Sequence, residues 1–429
     1  MIFKRQQTDK KEIKSSSIYM RIQQPLIILA VLNAFLLLLI VSVMRVPYQL
    51  NKNSYDLCQK QVDNRQRYLQ SQMTDNWMQI HSLADVVNRT ADRMIREEEL
   101  DFEMLDSSTA ECTPLILEVV DDLIRELYFR KVSGIYLTFN THDLNAEATS
   151  GNYKEKTGIY IRDKDPLSAS SEKYADLLLE CSPAKVVQTL SLSTDRDWEQ
   201  KMKFSKENPY EDWFTEPYLM ARAYEDMDAS DCGLWSIKRT PDGKSALTYS
   251  IPLILSDGRV YGVLGVEILN SYLEVLLPHS ELDEKAFYGL LVSDQAEQRE
   301  DIDGRLYSVT TKNSPFELWE ELSLSPTEYD GLALYDDAKR YEVALAPLSI
   351  YSRNTPFDNQ KWYVLGAVPT GKLFAFSNRV RIMLIVSSLI IFLFGIMGAL
   401  AASQHISKPI RDVQQEVLDA GSNIIPELS

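Results

Sequence analysis

The sequence predicts an α+β fold, with a long N-terminal helix followed by two mixed or antiparallel sheets and a membrane-spanning helix on either side. Three observations carry that expectation. The runs from Pro25 to Met44 and from Ile382 to Ala402 contain no charged residue, and each reaches the ~20 residues needed to cross a ~30 Å hydrocarbon core. Between them Val62, Leu69, Met73, Trp77, Ile80, Ala84, Val87, Ala91 and Met94 recur at helical steps, which places them on one face of a helix. Further along, β-rich runs are separated by Asp242-Gly243 and Asp257-Gly258, dipeptides that favour tight hairpin turns.

The N-terminal tail carries Lys4, Arg5, Lys10, Lys11, Lys14 and Arg21. Basic flanks stay on the cytoplasmic side, so the first apolar run leads outward and the second returns the chain to Lys408 and Arg411. Arg379 and Arg381 then fall on the outer side and are read as interfacial anchors. No small-x-small cleavage site follows the first run, where Val46, Pro47 and Tyr48 stand, so that run reads as an uncleaved anchor. The apolar stripe predicts a helix of ~40 residues, ~60 Å long. Such a helix either pairs with a second copy of the chain or packs on its own domain.

Pro114 is read as opening a second helix, PLILEVVDDLIRELYFR, because proline suits a first turn. GIYLTF at 134–139 and GIYIRD at 158–163 read as a hairpin or as neighbouring strands. The stretch from Ser168 to Lys206 reads as mixed and partly helical, and the aromatic cluster Tyr210, Trp213, Phe214 and Tyr218 follows it. Strands beginning near Trp235 and at 246–255 and 260–269 form an antiparallel meander. A helix from Ser271 to Leu277 stops at Pro278. A smaller set of strands follows at 287–293, 340–348 and 361–369, with a helical piece, PFELWEELS, among them. The expected division is a basic tail at 1–24, a membrane helix at 25–44 and an outer segment at 45–378, then a membrane helix at 379–402 and a relay segment at 403–429. Within the outer segment a distal module spans about 114–277 and a membrane-proximal module about 278–372.

The formal net charge is −17, and such an acidic chain lacks the basic face that nucleic-acid binding needs. The four histidines (His81, His142, His279, His405) fall in no metal or catalytic pattern. There is no Gly-rich nucleotide loop, no nucleophile elbow and no EF-hand order in EDMDASD at 225–231. No catalytic residue, metal ligand or cofactor is expected, and the chain as given does not read as an enzyme. Cys58, Cys112, Cys181 and Cys232 all lie in the outer segment. They permit three full pairings; a Cys181–Cys232 bridge and free thiols both stay open.

The run from Asp212 to Leu269 resembles the membrane-distal half of double Cache sensor domains. The family's ordered pattern stands here as Trp213-Phe214, then Leu234-Trp235-Ser236, then Thr248-Tyr249-Ser250-Ile251-Pro252, then Gly262-Val263-Leu264-Gly265-Val266-Glu267. The resemblance extends over nearly the whole outer segment and implies two PAS-like sheets. ISKPIRDVQQEV at 406–417 resembles the start of a HAMP relay helix, with Pro409 at the family's proline and Ile410, Val413 and Val417 at heptad-like spacing. The second HAMP helix and any output domain are absent before Ser429, so a fragment or truncated product is expected. IRDKDP at 161–166 and the strand GLWSIKR resemble Cache domains of sensor diguanylate cyclases.

The double Cache resemblance implies a two-pass receptor of the cell membrane, with both termini cytoplasmic. It would be a homodimer with a small-molecule ligand outside and an output such as a diguanylate cyclase or histidine kinase inside. A membrane-anchored envelope protein that binds a protein partner is the alternative. Carried over position by position, the family's ligand pocket falls on Trp213, Phe214, Trp235, Tyr249 and Glu267: aromatic faces hold an apolar part or a cation, and a carboxylate holds an amine. Amino-acid-binding members carry an arginine two residues before the tryptophan, where this sequence has Glu211. An acidic side chain cannot clamp a carboxylate, so a cationic or neutral ligand is expected.

Overall fold

A computed structural model describes residues 18–43, 46–105, 109–141, 154–167, 174–204, 211–224, 227–239, 244–293, 302–317, 319–329, 331–336 and 339–422. The basic tail before Ile18, His142, Tyr210, the Asp242-Gly243 turn and the last seven residues of the relay segment lie outside them. The helices longer than one turn are α1 (Ile18–Val43), α2 (Val46–Ser71), α3 (His81–Arg96), α4 (Thr109–Arg130), α5 (Ala184–Leu190), α6 (Asp212–Ala223), α7 (Asn270–Leu276) and α8 (Ala375–Ser422). The chain divides into two compact units, Met1–Ser54 with Phe374–Ser429, and Tyr55–Leu373.

In the larger unit the helical stripe behaves as its spacing predicts. Every one of its nine residues, from Val62 to Met94, is buried. The helix is not continuous, because a π-helical turn, Gln72–Trp77, separates α2 from α3. The stripe is consumed by the chain's own core, which decides between the two readings of the long helix as far as these nine residues go. α4 begins at Thr109, five residues ahead of the expected start at Pro114. A proline in the second turn removes one backbone hydrogen bond, and complete burial of Cys112 and Leu115 on either side of it holds the turn helical nonetheless.

The sheet of the expected distal module has seven strands in the order β5-β4-β3-β1-β9-β8-β7. They are β1 (Gly134–Phe139), β3 (Gly158–Asp163), β4 (Leu177–Cys181), β5 (Ser193–Glu199), β7 (Leu234–Arg239), β8 (Ser245–Ile254) and β9 (Val260–Leu269); β2 (Lys154–Lys156) and β6 (Met202–Phe204) form a separate pair. The expected meander is present as β7-β8-β9, and β1 lies antiparallel to β3. Gly258 turns β8 into β9 with φ +88°, a left-handed value that glycine adopts without strain. α3 and α4 pack toward one face of the sheet, and α6 packs on β7, β8 and β9. With both faces covered, β1 and all but the ends of β9 are buried.

Where a second PAS-like sheet was expected, the strands after β9 form a closed barrel. β10 (Phe287–Ser293), β11 (Ile302–Ser308), β12 (Glu320–Pro326), β13 (Leu332–Asp336), β14 (Lys339–Leu348) and β15 (Lys361–Pro369) close into a barrel, with β10 paired to β15. The helix expected in PFELWEELS is not formed, and its second half is the start of β12. There Leu322 and Leu324 are buried while Glu321 and Ser323 are exposed, so a period of two overrides the helix preference of Glu and Leu.

In the smaller unit α1 packs against α8. Among the described residues one stretch is long and apolar enough to cross a bilayer, Ala375–Gly398, with 24 residues and mean hydropathy 2.5. The qualifying apolar stretch in α1, Leu26–Leu37, is shorter. Two spans were expected, and this criterion supports one. α8 runs through Pro409 without a break, and Val413 and Val417 are exposed on it.

Candidate functional site

Strand alternation sorts the sheet's side chains into two groups. On β9, Leu264, Val266 and Ile268 join the main core, whereas Val263 belongs to a separate cluster with Tyr136, Tyr160, Cys181, Trp213, Phe214 and Tyr218. Glu267 shares the parity of Val263 and therefore the side covered by α6. Register lines up a polar row there. Arg162 on β3 lies opposite Gly134, Gly134 opposite Glu267, Glu267 opposite Thr248, and Thr248 opposite Ser236. In the next row Tyr160, Tyr136, Gly265 and Ser250 are neighbours. A Cβ on Gly265 would lie 2.3 Å from the Tyr136 phenol, so only glycine leaves room for that ring.

Four charges meet on this side of the sheet. Glu267 is 0%, Glu180 1%, Arg162 5% and Lys238 6% exposed, so each has left water and needs a counter-charge. Arg162 Nη1 pairs with Glu180 Oε1 at 2.6 Å, and Nη2 lies 3.5 Å from Glu267 Oε1. The Tyr160 hydroxyl donates a short hydrogen bond to Glu267 Oε2 and accepts one from Arg162 Nη2 at 2.8 Å. Lys238 Nζ stands 3.6 Å from Glu267 Oε2. The same ammonium faces the rings of Tyr160 at 3.8 Å, Tyr136 at 4.4 Å and Trp213 at 4.7 Å, a geometry in which ring quadrupoles attract a cation.

The electrostatics follow from that placement. Burial lowers the Lys238 pKa, with Glu267 opposing and Arg162 adding to the drop, and the result is about 8. Burial also works against the charge on Arg162, but the Tyr160 oxygen, Glu267 and Glu180 outweigh it and hold the guanidinium above its ordinary value. Burial first, and Glu267 second, push the Tyr160 phenol well above its ordinary value. Burial pushes the Cys181 thiol up to about 12, against the pull of Lys238. A second polar chain borders the site: Lys156 Nζ donates to Asn140 Oδ1 at 2.8 Å, and Asn140 Nδ2 donates to the Tyr218 hydroxyl at 3.0 Å.

The six residues expected to line one pocket do not lie together. Trp213 and Phe214, on α6, join the charged side with Glu267, and Trp213 meets Tyr136 edge-on at 4.6 Å. Trp235 and Tyr249 pair with each other across β7 and β8 on the opposite face. There Trp235 packs edge-on against Trp77 of the π-helical turn at 6.3 Å. The physical reason is parity: Trp235 is one residue from Ser236, and Tyr249 one from Thr248 and Ser250, which occupy the charged side. Glu211 stands at the N-cap of α6 without capping it through its side chain.

Sequence reading missed Lys238, Arg162, Glu180, Tyr136 and Tyr160. A signal was available for three of these. GIYIRD places Tyr160 and Arg162 two residues apart, and LWSIKR places Ser236 and Lys238 two apart, in strands too apolar to be solvent-facing. All four cysteines are free and buried, so the Cys181–Cys232 bridge is not formed. Among the described residues no group of His, Cys, Asp and Glu is arranged to hold a metal ion.

No protein-family model and no curated protein matches the chain. Several solved structures are similar to it. The periplasmic sensory domain of the Campylobacter jejuni chemoreceptor Tlp1 has 12% identity and TM-score 0.35, covering 76% of this chain and 98% of that one. The ligand-binding domain of the Pseudomonas fluorescens chemoreceptor CtaA in complex with L-isoleucine has 10% identity and TM-score 0.34, covering 77% and 98%. The ligand-binding domain of the Pseudomonas aeruginosa amino acid chemoreceptor PctB in complex with L-Arg has 12% identity and TM-score 0.32, covering 71% and 92%. All three are ligand-binding or sensory domains of chemoreceptors.

Proposed function

We propose that the chain is the input half of a transmembrane receptor: the distal sheet senses a small molecule outside the cell on the side covered by α6. The observation that carries this reading is the enclosed charged face itself. Four buried charges, one of them ringed by Tyr136, Tyr160 and Trp213, are costly to a fold, and such groups concentrate at sites that recognise ligands. Trp213, Phe214 and Glu267 are the sequence-derived residues assigned to the site. Trp235 and Tyr249 are assigned to the core behind it, and Glu211 to the entrance of the lid.

Two membrane passes and cytoplasmic termini fit the basic N-terminal tail, the apolar run in α1 and the span in α8. In this reading the HAMP-like turns after Pro409 hand a signal to a cytoplasmic output, and the receptor works as a homodimer. Such coupling requires a ligand whose affinity differs between two states of the sheet and lid.

A thermal-shift screen of the full chain in nanodiscs against small metabolites, amines included, tests the reading. A ligand that raises the melting temperature with its concentration, and loses that effect in Trp213→Leu, is the expected result. A folded chain that no metabolite stabilises overturns it in favour of a protein partner.

A further inference from the structure

The ammonium of Lys238 is held in an unusual way for a structural ion pair. Its Nζ finds no hydrogen-bond acceptor among the described residues. Its contacts are the rings of Tyr160, Tyr136 and Trp213 and the Glu267 carboxylate 3.6 Å away. Rings around a cation with one carboxylate nearby form the arrangement of aromatic cages, known best for quaternary ammonium ligands. The Lys238 stem enters from β7, and its register partner is Ala246, a side chain too small to compete for the space.

We infer that the Lys238 ammonium is a tethered internal ligand of an ammonium-binding cage, so that a free primary amine enters the site only by displacing it. The inference rests on the receptor reading for its biological sense, since displacement would couple an external amine to the lid helix through Trp213. It deepens that reading by naming the ligand class and a built-in competitor. The groups that face the ammonium come from every element around it: Tyr136 of β1, Tyr160 and Arg162 of β3, Glu180 and Cys181 of β4, Glu267 of β9 and Trp213 of α6. Burial leaves Lys238 with a pKa of about 8, so the competitor is charged at neutral pH and weakens as the solution turns alkaline.

Chemical rescue tests the inference. Lys238→Ala removes three methylenes and the amine, the skeleton of n-propylamine, and vacates the cage. In the full-length variant in nanodiscs, propylammonium should raise the melting temperature in a saturable way, with a Kd on the order of 1 mM for a ligand of about four heavy atoms. 1-Propanol, which fills the same space without charge, should do nothing. Wild type should gain at least tenfold less from propylammonium at pH 7. Equal rescue by the alcohol, or no rescue of a folded variant, overturns the inference. If Lys238→Ala does not fold alone, refolding in propylammonium but not in propanol supports the inference, and refolding in neither overturns it. A metabolite that stabilises wild type while Lys238→Ala ignores propylammonium sinks the internal ligand and leaves the receptor reading standing. Rescue of Lys238→Ala beside a wild type that no metabolite stabilises does the reverse.

Discussion

The interior of the β10–β15 barrel and the α6-covered side of the distal sheet exclude water to the same degree with opposite chemistry. Inside the barrel Phe287, Leu291, Leu306, Leu324, Val343 and Leu365 form one apolar cluster, and every one of them is fully buried. On the distal sheet the same depth holds two cations and two carboxylates. The barrel interior gains from burial at about 25 cal/mol per Å² and asks nothing of geometry beyond close packing. The charged side contributes little net stability and depends on every partner being in place. A fold keeps the first kind of interior for stability. The second kind is what the proposed site rests on, because apolar side chains of similar size would fill the space at lower cost.

The largest expected effect comes from breaking the charged side. Glu267→Ala deprives both Lys238 and Arg162 of a counter-ion and leaves the Tyr160 hydroxyl without its acceptor. A loss of about 3–5 kcal/mol is expected, read from the urea midpoint of tryptophan fluorescence. Leu324→Ala in the barrel should cost somewhat less, about 3 kcal/mol, as lost transfer energy plus a cavity. The two losses should separate by pH: the barrel variant keeps its deficit across the range, while that of Glu267→Ala changes with the charge of Lys238. A Glu267→Ala variant as stable as wild type would place the tetrad outside the stability argument altogether.

A further pair of variants sharpens the contrast between the two faces of one sheet. Trp213→Leu removes one of the three rings around the ammonium and should weaken propylammonium rescue of Lys238→Ala by about 0.5–2 kcal/mol, some two- to thirtyfold. Trp235→Phe lies behind the sheet, against Trp77. It should cost about 1–2 kcal/mol of stability and leave the rescue constant unchanged. Equal effects of both variants on rescue would mean that the two faces are not independent.

The same parity explains what the sequence disclosed and what it hid. Wherever the period was unbroken, the elements were legible: the stripe from Val62 to Met94, the strands at 134–139, 158–163, 287–293 and 361–369, and the β7-β8-β9 meander all stand where spacing placed them. Glu267 stood out as a lone charge in an apolar strand. Lys238 did not, because it follows Ile237 near a strand end, where a lysine ordinarily turns to solvent. Trp235 and Tyr249 were drawn into the site by family resemblance, and a count of residues from Glu267 through the register would have excluded them. The barrel was the least legible region. Of its strands, β12 is rich in Glu and Ser and β13 is short, and closure is a long-range property that no local window contains.

The last expected effect is the most specific, a change of stability with pH that belongs to one side chain. The folded-state pKa of Lys238 is about 8, below its ordinary value of 10.5. Between those values the unfolded chain binds more protons than the folded one, so this group makes stability rise with pH from about 8 to about 10.5, by at most about 1.4 kcal/mol per pH unit. Other buried groups pull the opposite way. Burial raises the thiols of Cys58 and Cys181 from 9.0 to about 12, so stability from them is lost as pH climbs above about 9. The Tyr136 and Tyr160 phenols, raised chiefly by burial, add to that loss above their ordinary value near 10. The net curve of the wild type is therefore uninformative, and a difference curve is needed. Lys238→Met keeps the stem and the neighbouring groups and removes only the titrating tip. Wild type minus Lys238→Met, measured by urea titration of the full chain at steps between pH 6.5 and pH 10, should be flat below about 7.5 and rise above 8. A rise that begins only near 10 would mean that the ammonium feels the solvent, and the cage would then not be closed around it. A difference that falls with pH would mean that Glu267 and the three rings stabilise the charge beyond the cost of its burial. In that case Lys238 would be a structural ion pair of the same standing as Arg162, and the two sides of the molecule would differ in composition without differing in purpose.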